Sequence, residues 1–276
     1  VDMSMFDTSI KPGDDFFVYA NGAWLKSAQM PADRSYAGVN YELDKQNEER
    51  LKKIVGKLMS RPPAPAGSAS EADKLRNMFA AFTDIGAIEA RGMEPANADL
   101  AKIAGAQSKE DIARLMGDPA LNLDGPYGVY IDADDKHPEN YALRLYQSGL
   151  GLPDRDYYLR GDKELIQTRS AYRKYLATML GFAGIADADA RANAVLALET
   201  EIAKAHWPAA DRRDAEKTYN PMNLAEIQKL APEYAWQATF AAAGISETKA
   251  GVPRVFVVTE KSAFAPLAKG FGRSSV

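Results

Sequence analysis

Two histidines, His137 and His206, are the only imidazoles in this 276-residue chain, and their positions bound the chemistry at once. A metal-dependent hydrolase of the commonest kind sets two histidines at i and i+4 on one helix face, with a glutamate between them as general base. No His-Glu-x-x-His occurs. His137 precedes Pro138 in a polar stretch and reads as an exposed loop residue. His206 ends a helical stretch, where a partial positive charge suits the C-terminal dipole, so packing or capping is its expected role. Asp154 and Asp156 resemble the carboxylate pair of glycoside-type acid–base work, but a spacing of two along a turn does not define carboxyl separation. Turn capping and pairing with Arg155 are expected there instead. Asp211-Arg212-Arg213-Asp214 reads as a locally neutralised charge cluster, with salt bridging favoured over phosphate binding. Gly149 and Gly151 lack the following helix of a cofactor loop, and no Gly-x-Ser-x-Gly elbow occurs. No cysteine is present, which excludes disulfides, thiolate zinc sites and a cysteine nucleophile. No catalytic residue and no metal ligand is assigned to this chain.

The surrounding pattern is mostly helical. Asp14 and Asp15 open a short aromatic helix, Phe16 to Leu25, with Asn21-Gly22 expected to interrupt it before Trp24. A turn from Met30 to Gly38 leads into an amphipathic helix from Asn40 to Met59, whose apolar stripe carries Leu43, Asn47, Leu51, Ile54 and Leu58. Residues 61–70 read as a Pro-rich connector. Ser68 with Glu71 resembles a capping box for a helix reaching Thr83, and another helix starts near Ser108. Val129 and Ile131, then Tyr141, Leu143 and Leu145, alternate as strands of a β-hairpin around the polar loop 134–140. Helices are expected over Asp162–Leu180, Asp187–His206, after Asn223 with Glu226 as its cap, and over Tyr234–Ala243. Arg254–Val258 reads as a short strand. The fold class is mainly α, a multi-helix lobe with a small β-hairpin.

Composition places the chain among ordinary globular proteins: 46% hydrophobic, 26% charged and a formal net charge of −4. No basic stripe suits nucleic acid, and no apolar run reaches the ~18 residues of a bilayer span. No secretory leader is visible and residue 1 is Val, so the N-terminus is expected to come from processing or from the choice of expressed segment. The Gly- and Ser-rich stretch 270–276 reads as a weak end for a packed domain and is expected to reflect truncation.

Four segments carry a family resemblance. They are Lys11-Pro-Gly-Asp-Asp-Phe-Phe-Val-Tyr-Ala-Asn-Gly-Ala-Trp-Leu25, then Met30-Pro-Ala-Asp-Arg-Ser-Tyr36 with Asn47-Glu-Glu-Arg50, and next Gly149-Leu-Gly-Leu-Pro-Asp-Arg-Asp-Tyr-Tyr-Leu159. The fourth runs from Leu198-Glu-Thr-Glu-Ile-Ala203 through Arg212-Arg213-Asp214 to Tyr219-Asn-Pro-Met222. In this order they resemble the neprilysin and endothelin-converting-enzyme family of zinc metalloendopeptidases.

The resemblance implies that the chain is the N-terminal, non-zinc part of a two-lobed metallopeptidase. Residues 1–35 would pack on the catalytic lobe and residues 36–276 would form the helical cap lobe enclosing the peptide cavity. The C-terminal zinc domain is absent from this chain, so zinc belongs to the full-length enzyme and none is expected to bind here. Implied partners are peptide substrates and the C-terminal catalytic portion, with no nucleic acid. Self-association of an isolated lobe would follow from uncovered apolar surface. Some members place an arginine after the second motif's proline, where it grips a substrate carboxylate bidentately. That place is held here by Tyr36. The nearest arginine, Arg34, is carried as the substrate-binding candidate, with a structural ion pair as its alternative role. Family habit implies an extracytoplasmic location: periplasmic, secreted or membrane-anchored. Lack of cysteine looks more like a bacterial member than a disulfide-bearing animal one. The alternative reading is a stand-alone helical peptide- or protein-binding module without catalysis.

Overall fold

The computed structural model describes residues 3–29, 37–63, 65, 67 and 70–275. Arg34, Tyr36 and Ser68 lie outside them. Two compact units divide the chain, Val1–Ala90 and Arg91–Val276.

In the first unit, α1 (Phe16–Ser27) starts where the Asp15 carboxylate accepts from the Val18 N–H at 2.9 Å. The expected break at Asn21-Gly22 does not occur. Asn21 donates back to the Phe17 carbonyl within the helix, and Gly22 is the contact point for the preceding turn. A Cβ on Gly22 would come 2.5 Å from the Asp7 Cβ. The Asp7 carboxyl, hydrogen-bonded by Lys26 and Ser9, is held down at about 2. Helix α2 (Val39–Met59) packs on α3 (Glu71–Thr83) across the connector. The capping box of α3 is Ser70 with Asp73, not Ser68 with Glu71: Ser70 directly precedes the first helical residue, and the two side chains answer each other's N–H groups.

Helix α4 (Ile85–Arg91) closes the first unit; the second holds α5 (Asn97–Ala104) and α6 (Lys109–Gly117), the last capped by Ser108. The hairpin pairs β1 (Tyr127–Ala133) with β2 (Tyr141–Gln147) in antiparallel register, Tyr127 opposite Gln147. Then come α7 (Asp156–Leu159), α8 (Lys163–Phe182), α9 (Ala188–Ala205), β3 (Asn220–Asn223), α10 (Leu224–Leu230) and α11 (Trp236–Ala242). A two-stranded ribbon, β4 (Thr248–Lys249) with β5 (Val252–Pro253), precedes β6 (Val255–Val258) and α12 (Lys261–Arg273).

The hairpin is half of a larger element, a four-stranded mixed sheet of order β1-β2-β6-β3. Strand β6 runs parallel to β2 and antiparallel to β3. It is an apolar run, Val-Phe-Val-Val, because it lies between neighbours and is covered on both faces. Strand β3 contains Pro221, which an edge strand tolerates because its outer side needs no ladder donor.

One sheet face, with Tyr127, Leu145, Phe256 and Val258, packs on α6, α10, α11 and α12. Its centre is aromatic: Tyr127 to Trp236 at 4.4 Å, Trp236 stacked on Phe264, and Phe240 stacked on Phe256 at 4.8 Å. The polar tips are answered, with the Tyr127 hydroxyl donating to the Phe264 carbonyl and the Trp236 indole to the Ala231 carbonyl. Of the stretch 270–276 read as a weak end, Phe271 enters this core, while Gly272, Arg273 and Ser275 are exposed. Phe264, Leu267, Ala268 and Phe271 place α12's apolar stripe on the core despite Pro266, Gly270 and Gly272. Among the described residues no helix is long and apolar enough to cross a membrane.

Phe256 is fully buried between strand neighbours and the Phe240 ring. Phe256→Ala is expected to cost about 3–5 kcal/mol, measured as a lowered midpoint in urea unfolding with the slope unchanged.

Candidate functional site

The segment 149–159 leaves β2 and lies against α8 and α9. Gly151 sits where a Cβ would come 1.9 Å from the Tyr172 hydroxyl on α8, so no larger residue fits without displacing that ring. The Leu152 N–H donates to the Tyr158 hydroxyl, which in turn donates to Glu199 Oε2 at 2.8 Å. Tyr172 donates to the other oxygen, Glu199 Oε1, at 2.9 Å. One carboxylate on α9 thus joins the loop, α7 and α8. Burial first, and the Glu199 contact second among the raising causes, push both phenols upward, so they remain donors throughout the physiological range. Arg155 donates to the Ala203 carbonyl at 3.3 Å, and Arg169 to the carbonyls of Tyr157 and Arg160.

This geometry separates the two aspartates by role. Asp154 caps the turn, accepting from the Asp156 N–H at 2.8 Å, while Asp156 faces Arg160 at 3.7 Å. The turn-capping reading holds; the Arg155 pairing does not, because that guanidinium is used by α9. No acid–base pair is assembled.

A second polar centre lies where β2 and β6 end. Glu260 is 2% exposed, and its Oε1 accepts from Arg212 at 2.8 Å. Its Oε2 accepts from the Gln147 N–H at 3.0 Å and from the Thr259 hydroxyl. Gln147 also exchanges two hydrogen bonds with the Trp207 backbone. The charge run 211–214 is therefore not neutralised within itself. Arg212 reaches Glu260, and Asp214 pairs with Lys217 at 3.2 Å.

His206 caps α9 with its ring buried, Nε2 3.1 Å from the Ser148 carbonyl, so Nε2 carries the proton. Burial lowers its pKa from 6.5, against the opposing pull of that hydrogen bond and of Glu260. The reading of His206 as a charge on the helix dipole is corrected accordingly: a neutral imidazole is the favoured form. His137 is exposed in the β1–β2 loop, 3.8 Å from Glu139. Among the described residues no group of three or more His, Asp and Glu stands together as a metal ligand set. Arg34, the substrate-binding candidate, lies outside the described residues.

Glu260 and Gln147 escaped sequence reasoning. A lone acid directly after an apolar run, Val255-Phe-Val-Val-Thr-Glu260, is the signal that marks such a carboxylate. Glu199 stood inside a quoted motif without a role.

Two outcomes follow from these centres. Glu199→Ala leaves two phenols without their acceptor and is expected to lower stability by about 2 kcal/mol, with Glu199→Gln losing less, read by urea unfolding. His206 takes up its proton more readily unfolded than folded, so stability is full above about pH 6.5 and declines as pH falls below it. Thermal melts from pH 7.5 to 5 are expected to show this decline, and His206→Gln to remove it.

Set beside known proteins, residues 12–275 match the family model for the N-terminal region of peptidase family M13. Mouse endothelin-converting enzyme-like 1 is 29% identical over 245 residues, 84% of this chain and 31% of that protein. The endothelin-converting enzyme homolog of Locusta migratoria is 31% identical over 256 residues, 86% of this chain and 34% of that protein. The inhibitor-bound crystal structure of the Mycobacterium tuberculosis zinc metalloprotease Zmp1 superposes with a TM-score of 0.78 at 29% identity, covering 100% of this chain and 41% of that one. The chain thus spans about a third of the length of the curated relatives it matches. On this evidence the mainly α lobe with its small mixed sheet corresponds to the N-terminal region of peptidase family M13, and the chain belongs to that family.

Proposed function

We propose that this chain serves a neprilysin-like zinc endopeptidase as the helical lobe that encloses the peptide cavity, and that it is inactive alone. The observation that carries this reading is the pairing of a family match over residues 12–275 with the absence of any His-Glu-x-x-His in the sequence. Zinc, supplied by the C-terminal portion, would polarise the scissile carbonyl and activate water there. This chain's residues would shape the cavity. Residues 1–35 would rest on the catalytic lobe, and Arg34 would anchor a substrate carboxylate. Location outside the cytoplasm is part of the same proposal.

The exposed apolar side chains support a missing partner surface. Leu51 and Ile54 on α2, and Met78 and Phe82 on α3, are each more than half exposed. The C-terminal portion would cover such faces, and the isolated chain would self-associate through them.

The test is reconstitution. The purified chain is expected to retain no zinc in elemental analysis and to leave a quenched fluorescent peptide uncut. Addition or co-expression of the C-terminal portion is expected to restore zinc-dependent cleavage. Stoichiometric zinc and cleavage in the chain alone would overturn the proposal. A chain that binds peptides tightly yet gains nothing from the C-terminal portion would favour the stand-alone binding module.

A further inference from the structure

The sheet face turned away from the aromatic core carries a pocket that shares Arg212, Thr259 and Glu260 with the Glu260 centre and adds guanidinium groups that centre does not use. Tyr130 and Arg144 are directly paired across β1 and β2, and Tyr146 lies two residues on, so all three stand on this face. The stretch 209–218 closes over them with Arg212, Arg213 and Thr218. The cavity measures about 360 Å³, at the small end of ligand pockets and large enough for one or two amino-acid residues.

Charge in this pocket is unevenly answered. Arg212 is matched by Glu260, whose second oxygen is already taken by Gln147 and Thr259. Arg144, with its side chain only 7% exposed, uses Nη2 for Asp135 at 2.7 Å and for the Ala133 carbonyl. Its Nε is enclosed and has no hydrogen-bond partner. A buried donor on a charged group is costly when unpaired, so an acceptor that could enter this pocket gains the difference. The Arg213 guanidinium makes no ion pair among the described residues. Three guanidinium groups and four hydroxyls therefore line one cavity with a single, fully engaged carboxylate. Planar guanidinium donors favour oxyanions of fork-like geometry.

We propose that this pocket is an oxyanion site that takes the carboxylate of an acidic peptide, a side chain or a C-terminus. The site stands whether or not the peptidase reading holds, because its ligand binds on this chain's own residues and needs no zinc.

The experiment follows arginine Nε–H resonances of the 15N-labelled chain during titration with N-acetyl-Asp-Glu, its diamide N-acetyl-Asn-Gln, and inorganic phosphate. Saturable shifts of the Arg144 and Arg213 signals with the acidic dipeptide, and none with the diamide, are expected. Arg213→Ala should weaken binding roughly tenfold or more while leaving the thermal melt unchanged, since that side chain is exposed and unpaired. Saturation by phosphate with no response to the dipeptide would overturn the peptide assignment. An Arg144 signal unmoved by either anion would overturn the site itself.

Discussion

A carboxylate as deeply enclosed as Glu260 is tolerated only when charge and hydrogen bonds replace the water it has lost, and that requirement fixes the centre of the second unit. Removing one partner from such a pair leaves an uncompensated buried charge, a far larger penalty than the net value of the pair itself. Glu260 meets the requirement from three directions: the backbone of β2 at Gln147, the end of β6 at Thr259, and Arg212 from the stretch before β3. The strands are therefore pinned where their chains leave the sheet. From that point β2 passes into residues 149–159, the family fingerprint, and β6 into α12, so the directions of both exits are set by one acid.

Glu199 repeats the device one layer out. It ties the fingerprint to α8 and α9 through two phenols, as Glu260 ties strand to strand. His206, whose pKa burial lowers, lies where a search for a catalyst would look, and the two acids stand in buried and half-buried polar settings. Their hydrogen bonds are instead spent on backbone and hydroxyl groups that hold the fold. These bonds serve to anchor strands, helices and the loop between them. The proposed role, shaping a cavity while chemistry happens on another part of the protein, would need this kind of rigidity more than a base.

Legibility in the sequence followed the range of each interaction. Local signals read well: the Ser108 and Asn223 caps, the alternation of β1 and β2, and the long helices α2, α8 and α9 all lie where their residues place them. Non-local devices did not. Strand β3, Asn-Pro-Met-Asn, has no strand propensity of its own and exists because β6 offers it an edge. Helix α12 carries Pro266, Gly270 and Gly272 and forms because Phe264, Leu267 and Phe271 enter the aromatic core. Gly22, taken from sequence as a break, is a contact. The candidate site divided the same way. The fingerprint was visible as a segment, but its acceptor Glu199 lies 41 residues beyond Tyr158, and no spacing rule links them.

The amphipathic stripe of α2 shows what a correct period still leaves undetermined. Periodicity places Leu43, Leu51 and Ile54 on one face, yet in this chain they are 50%, 59% and 53% exposed. A 3.6-residue repeat tells which face is apolar, and says nothing about which surface covers it. Half exposed, each such side chain forgoes half of the roughly 1.5–3 kcal/mol that full burial contributes. The outer sheet face is the polar counterpart. Arg144 is buried beyond what its one acid partner at Nη2 requires, and its Nε is left for an acceptor the chain does not supply. Apolar stripe and guanidinium pocket ask for different occupants, a packed surface in one case and an oxyanion in the other. The two differ in kind: an exposed apolar stripe lacks a covering surface and an enclosed donor lacks an acceptor, in each case among the described residues, and each marks where a partner is proposed to bind.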